Sequence, residues 1–127
     1  VEDFNYLRKL EFGSVAIMPN DYREYPEDSF ANMQKFSKKY DFSFPYLLDA
    51  KQEIAKKYKA VCTPDFFCFD ENNKLFYRGR LDNLMFKERS EQRRVKELVN
   101  AVYERIKNNK IISNQKASIG CSIKWIK

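Results

Sequence analysis

The stretch from residue 66 to residue 77 constrains the fold more than any other part of this chain. Phe66-Phe67-Cys68-Phe69 is strongly β-prone, Asp70-Glu71-Asn72-Asn73 supplies turn residues, and Leu75-Phe76-Tyr77 reads as the return strand. Two such runs around a polar turn make an antiparallel hairpin. The chain ahead of it follows another rhythm. Val1, Phe4, Leu7 and Leu10 fall on one helical face, and Gly13 stops the pattern. Ser14-Val15-Ala16-Ile17-Met18 is a short continuous apolar run, as in a strand buried on both faces, and Pro19-Asn20 ends it.

Pro26 suits the first turn of a helix, with Glu27 and Asp28 beside it. Phe30, Met33, Ser37 and Tyr40 form the inner face of that helix, and Lys35, Lys38 and Lys39 complement its C-terminal end. Pro45-Tyr46-Leu47-Leu48 is a short extended piece. Asp49, with Gln52 three residues on, is a capping-box-like start for a helix through Tyr58. Val95, Leu98, Val99, Val102 and Ile106 mark a last amphipathic helix. A tail follows Lys110 and closes with Ile119-Gly120-Cys121-Ser122-Ile123-Lys124-Trp125. The order predicts an α/β fold with a mixed sheet, parallel early and antiparallel late. A single domain over residues 1–127, with 109–127 as its tail, is expected. A chain of 127 residues can bury about two-thirds of the surface it exposes when unfolded.

Absences bound the chemistry. Hydrophobic residues at 43% exclude a disordered chain, and 3 Gly with 4 Pro exclude collagen-like or linker character. No apolar run approaches a membrane span, and no secretory leader pattern is present. The chain has no His, which removes Ser-His-Asp and Cys-His catalysis and most zinc sites. Cys62, Cys68 and Cys121 form no CxxC, and no phosphate-cradling glycine loop exists. No metal and no cofactor is expected. The chemistry left open is thiol chemistry.

The first helix has no capping residue ahead of it, and Val1 is not a start methionine. A helix without an N-terminal signal usually began earlier in a chain. The sequence is therefore expected to be the later part of a longer domain; the alternative is a helix that frays at a true or processed terminus. Charge is uneven: residues 1–86 carry net −1 and residues 87–127 carry net +7. No helix-turn-helix, zinc finger or aromatic platform accompanies the basic part, so a solvated basic face is expected rather than nucleic-acid binding.

Four stretches resemble the thioredoxin-like redoxin family related to the AhpC/TSA (alkyl hydroperoxide reductase, thiol-specific antioxidant) proteins. They are Asn20-Asp21 with Tyr25-Pro26-Glu27-Asp28-Ser29, then Ala60-Val61-Cys62-Thr63-Pro64-Asp65-Phe66-Phe67, then Arg78-Gly79-Arg80-Leu81-Asp82-Asn83, and the closing Ile119–Trp125 segment. Their order and spacing match across essentially the whole chain, and the second and fourth are the specific ones. The resemblance implies a thioredoxin-like mixed sheet flanked by helices. It also implies an active-site Cys-Pro segment at the end of a central strand, opening the first helix. That segment maps onto no residue here, so the primary reactive cysteine is missing. The central strand would lie between the 14–18 and 66–69 strands, which are then expected not to pair with each other.

The function implied is a thiol–disulfide oxidoreductase or antioxidant, peroxiredoxin-like domain, present without its primary cysteine. The alternative is a noncatalytic binding or scaffold domain that kept the fold. Thr63-Pro64 resembles the cis-proline dipeptide of such folds, and with Arg80 these are the candidate substrate-binding residues. An ordinary trans turn, and a salt bridge from Arg80 to Asp82 or another carboxylate, are the plainer readings. Cys62 and Cys121 are the candidate catalytic residues, as secondary or resolving thiols. Cys62 could equally be a small buried hydrophobe, and Cys121 could merely sit where the tail docks. Cys68 reads as core packing. True peroxiredoxins place an arginine near the start of the strand after this loop; here the region reads Thr63-Pro64-Asp65, which favours disulfide exchange over peroxide reduction. The implied partners are a thiol or disulfide protein or a small redox molecule, with no nucleic acid and no membrane. An oligomer through open sheet edges, and a cytoplasmic location, complete the expectation.

Overall fold

Helix α1 (Glu2–Lys9) opens the computed structural model of the chain, which describes residues 1–84 and 93–127. Glu2 and Asp3 lie in its first turn and Arg8 and Lys9 in its last, each sign matching the helix dipole. Leu7 is its fully buried anchor. Strand β1 (Ala16–Met18) pairs in parallel with β2 (Tyr46–Leu48), in the register Ala16↔Tyr46 to Met18↔Leu48. Their connection carries α2 (Phe30–Lys39), as a parallel pair requires a crossover. These elements belong to one compact unit, residues 1–61 with 123–127.

Three local expectations need correction in this unit. Pro26 does not open α2. Pro26–Asp28 is a separate 3₁₀ turn, and extended Ser29 caps the helix by accepting the Asn32 N–H on Oγ at 3.2 Å. The helix therefore starts later, and of its expected inner face Met33 is buried while Phe30 and Tyr40 are exposed. The 14–18 run is not buried on both faces: Val15 is exposed, and within β1 only Met18 is buried. The third concerns α3 (Glu53–Tyr58). Asp49 Oδ2 accepts the Ala55 N–H at 2.9 Å, but Gln52 does not complete a capping box. Gln52 stands in the left-handed region at φ 60° and sends its side chain elsewhere.

That side chain fixes the end of the chain. Gln52 Nε2 donates to the carbonyl oxygens of Pro19 (2.8 Å) and Lys124 (2.9 Å), and its Oε1 accepts the Ile126 N–H at 2.9 Å. Asn20 Oδ1 accepts the Lys124 N–H at 2.9 Å, and Asp21 N–H donates to the Lys124 carbonyl at 2.8 Å. Ile123 is buried, and the Lys56 ammonium lies 5.9 Å from the Trp125 ring centre. Phe42 stacks at 4.6 Å from Phe44 and 5.4 Å from Tyr46, closing the loop ahead of β2 with an aromatic cluster.

The second compact unit covers residues 62–122. The hairpin is present: β4 (Phe66–Phe69) and β5 (Leu75–Gly79) run antiparallel, with Phe66↔Gly79 and Cys68↔Tyr77 opposite and an irregularity at Phe69. Asp70 Oδ1 accepts the Asn72 and Lys74 N–H groups, and left-handed Asn73 completes the turn. Helix α4 (Glu97–Asn108) packs on β5 and buries Leu98, Val99, Ala101 and Val102. Val95 and Ile106, expected on its inner face, are exposed. Val95 precedes the helix, and Ile106 sits in its last turn beyond the buried stretch.

Arg94 and Asp82 form a nearly fully buried pair at 2.7 Å, and Arg105 bonds Asp70 at 3.3 Å. Part of the basic excess is thus internally paired; residues 87–92 of the basic stretch lie outside the described residues. A last ladder joins β3 (Cys62–Thr63) to β6 (Cys121–Ser122), antiparallel. Among the described residues, β1 is laddered to β2 alone and β4 to β5 alone. No described helix is long and apolar enough to cross a membrane.

Candidate site at the Cys62 ladder

The β3–β6 ladder brings together four of the five candidate residues. Cys62 lies opposite Ser122, and Thr63 lies opposite Cys121. Pro64 follows directly, and the Thr63–Pro64 peptide bond is cis. Gly120 makes the close approach possible, because a Cβ there would collide with the Thr63 carbonyl oxygen. Its φ is not positive, so space rather than backbone freedom demands the glycine.

Cys62 is buried and Cys121 is exposed. The Cys62 thiol lies 3.8 Å from the Ser118 carbonyl and 3.9 Å from the Pro64 carbonyl, reaches suited to a weak S–H donor. Burial pushes its pKa up, the Asp65 carboxylate adds to that, and the Arg78 guanidinium opposes both. Side chains alternate along a ladder, so Cys62 shares a face with Ser122 and Cys121 with Thr63. The two sulfurs leave on opposite faces. A direct Cys62–Cys121 disulfide needs a one-residue register change.

Arg80 is held elsewhere. Its Nε donates to Glu97 Oε1 at 2.6 Å, both side chains being about one-fifth exposed, at 21%. The acid that pairs it is Glu97, whereas Asp82 is taken by Arg94. The cation that acts on the Cys62 thiol is Arg78, which bonds Asp65 at 3.4 Å and lies 4.8 Å from the Phe67 ring centre. Sequence reasoning passed over Arg78. The available signal was its place opposite Phe67 once the hairpin register is drawn. Cys68 is a core residue of β4, with its pKa pushed up to about 12 by burial.

All three cysteines stand on strands: Cys62 on β3, Cys68 on β4 and Cys121 on β6. None is at a helix N-terminus, where aligned N–H groups would stabilise a thiolate. Among the described residues no cluster of three His, Cys, Asp or Glu side chains is gathered to hold a metal.

A profile of the AhpC/TSA family matches residues 5–78. The match takes in Cys62, Thr63 and Pro64, and it ends before Arg80 and Cys121. No curated protein matches the chain. Two solved structures are similar to it. An uncharacterized conserved protein from Geobacillus kaustophilus is 43% identical with a TM-score of 0.80, the alignment covering 90% of this chain and 60% of that one. A hypothetical protein from Sinorhizobium meliloti is 38% identical with a TM-score of 0.79, covering 90% of this chain and 62% of that one. The chain thus spans about three-fifths of the length of each.

Proposed function

Since this chain belongs to the AhpC/TSA family and has its thioredoxin-like α/β fold, we propose that it serves thiol–disulfide exchange through secondary thiols, Cys62 and Cys121. The primary nucleophile of the reaction comes from outside these 127 residues. One observation carries the reading: each of the three cysteines lies on a strand, and the two buried ones have raised pKa values. A thiol that starts an exchange at neutral pH needs a stabilised thiolate.

Exposed Cys121 is the group a partner can reach. In the step assigned to it, its thiolate attacks one sulfur of a partner disulfide. A new S–S bond forms as the old one breaks, and the departing sulfur keeps the electron pair and then takes a proton. Thr63 and Pro64, beside Cys121 on the ladder, are the proposed contacts for that partner. Arg80 stays in the proposal as a weaker contact, since Glu97 already occupies its Nε. The raised pKa values of Cys62 and Cys68 also favour a second reading, a noncatalytic binding domain.

Turnover separates these possibilities. The 127-residue chain, supplied with dithiothreitol and either hydrogen peroxide or oxidised glutathione, is expected to show no turnover above the uncatalysed rate. With oxidised glutathione and no dithiothreitol, Cys121 is expected to form a mixed disulfide, releasing one reduced glutathione, detectable by mass. Sustained turnover abolished by Cys62→Ser would overturn the secondary role of Cys62. A Cys121 that forms no mixed disulfide would leave only the binding domain.

A further inference from the structure

Among the described residues, the edge of β5 away from β4 is covered by an irregular segment. Phe76, Arg78 and Arg80 are alternate residues, and their main-chain groups bonded by that segment lie on the side of β5 away from β4. Gln115 stands in for a strand: its Oε1 accepts the Arg78 N–H at 2.9 Å, and its Nε2 donates to the Phe76 carbonyl at 2.8 Å. The Arg80 N–H donates to the Lys116 carbonyl at 3.1 Å, and Ser118 Oγ donates to the Gly79 carbonyl at 2.6 Å. Gly79 has no room for a Cβ, which would collide with the Lys116 carbonyl oxygen. The same segment then reaches over Thr63 at Gly120, offers the Ser118 carbonyl to the Cys62 thiol, and ends as β6.

We propose that residues 115–122 are a strap that gates the Cys62 thiol, lifting as a local unit while the hairpin beneath stays folded. Among the described residues, the strap is tied by the Gln115 and Ser118 side chains, the Lys116 carbonyl and a two-residue ladder, with Lys116, Ala117, Ile119 and Cys121 exposed. Little apolar surface is lost when it lifts, so its opening costs far less than unfolding. Cys68 differs, because it is buried in β4 and bared only when the hairpin opens. Cys62 is thereby a thiol whose access the strap controls. The gating is independent of which reaction the thiol serves.

Alkylation of the native chain tests this. Iodoacetamide forms an S–C bond with a thiolate as iodide leaves, and the thiol proton passes to the buffer. Rates are followed at each cysteine by peptide mass spectrometry across urea concentrations below the unfolding transition. Each is divided by the rate of the same cysteine in the urea-unfolded chain. Cys62 is expected to react about a hundredfold faster than Cys68, with a rate nearly flat in urea where that of Cys68 rises steeply. Gln115→Ala removes two main-chain ties and is expected to speed Cys62 about tenfold while leaving Cys68 unchanged. Equal rates and equal urea dependence at Cys62 and Cys68 would overturn the strap. So would a Gln115→Ala chain in which Cys62 is unmoved, or in which both cysteines speed up together.

Discussion

Gln52 shows how much one side chain can hold. It is 1% exposed and ties the turn after β1 to the last residues of the chain through three hydrogen bonds. Its backbone sits at φ 60°, which costs a non-glycine residue about 1–2 kcal/mol. Gln52→Ala is expected to lower stability by about 2–3 kcal/mol, read from the urea midpoint, because the Pro19 carbonyl and the Ile126 N–H lose their Gln52 partner and the Lys124 carbonyl loses one of its donors. Gln52→Gly relieves the backbone but loses the same bonds, and is expected to fall between Gln52→Ala and the parent. A Gly variant more stable than the parent would mean that the clamp contributes nothing. The sequence placed Gln52 at the start of a helix, which is where it lies, but not its partners, which are 33 to 74 residues away. Cys68 was readable as core because its neighbours are all Phe; Arg78 was not, because its influence on Cys62 depends on the hairpin register.

Among the elements, the β4–β5 hairpin was legible because its signals are local: a Phe-rich run, a turn of Asp and Asn, and a return strand. The β3–β6 ladder was not legible. Two residues per strand carry no periodicity, and the close approach of Gly120 to Thr63 shows only in the structure. The start of α2 was misread because Pro26 and Ser29 both carry N-terminal signals, and the hydrogen bond from Asn32 decides for Ser29. The hairpin also carries a pH dependence. Burial raises Cys68 from 9.0 to about 12 and, as the largest of several causes, raises Tyr77 from 10.0 to about 12. The fold therefore prefers both groups protonated. Their contribution is full below pH 9 and is lost as pH rises from there towards 12. Between about pH 8 and pH 10.5, stability is expected to fall by on the order of 2 kcal/mol through Cys68. Cys68→Ala should shrink that fall, as urea midpoints at the two pH values would show. An undiminished fall in the variant would remove Cys68 as its source.

At the scale of the molecule, the order of elements announced an α/β chain, and the family match and both similar structures agree. Each compact unit takes some of its long-range ties from the tail: residues 123–127 bind in one, and residues 115–122 lie along the hairpin of the other. Besides buried Ile123, those ties run largely through polar side chains and main-chain groups, which carry no hydrophobic pattern, so the tail's partners were little visible in the sequence. As proposed, Cys62 is a guarded secondary thiol rather than an activated nucleophile. The most direct measurement is the alkylation rate of Cys62 in the intact chain as a function of pH, resolved by peptide mass. The expected titration midpoint is no lower than the ordinary thiol value of 9.0. A midpoint at or below about 7, the mark of a stabilised thiolate, would contradict it.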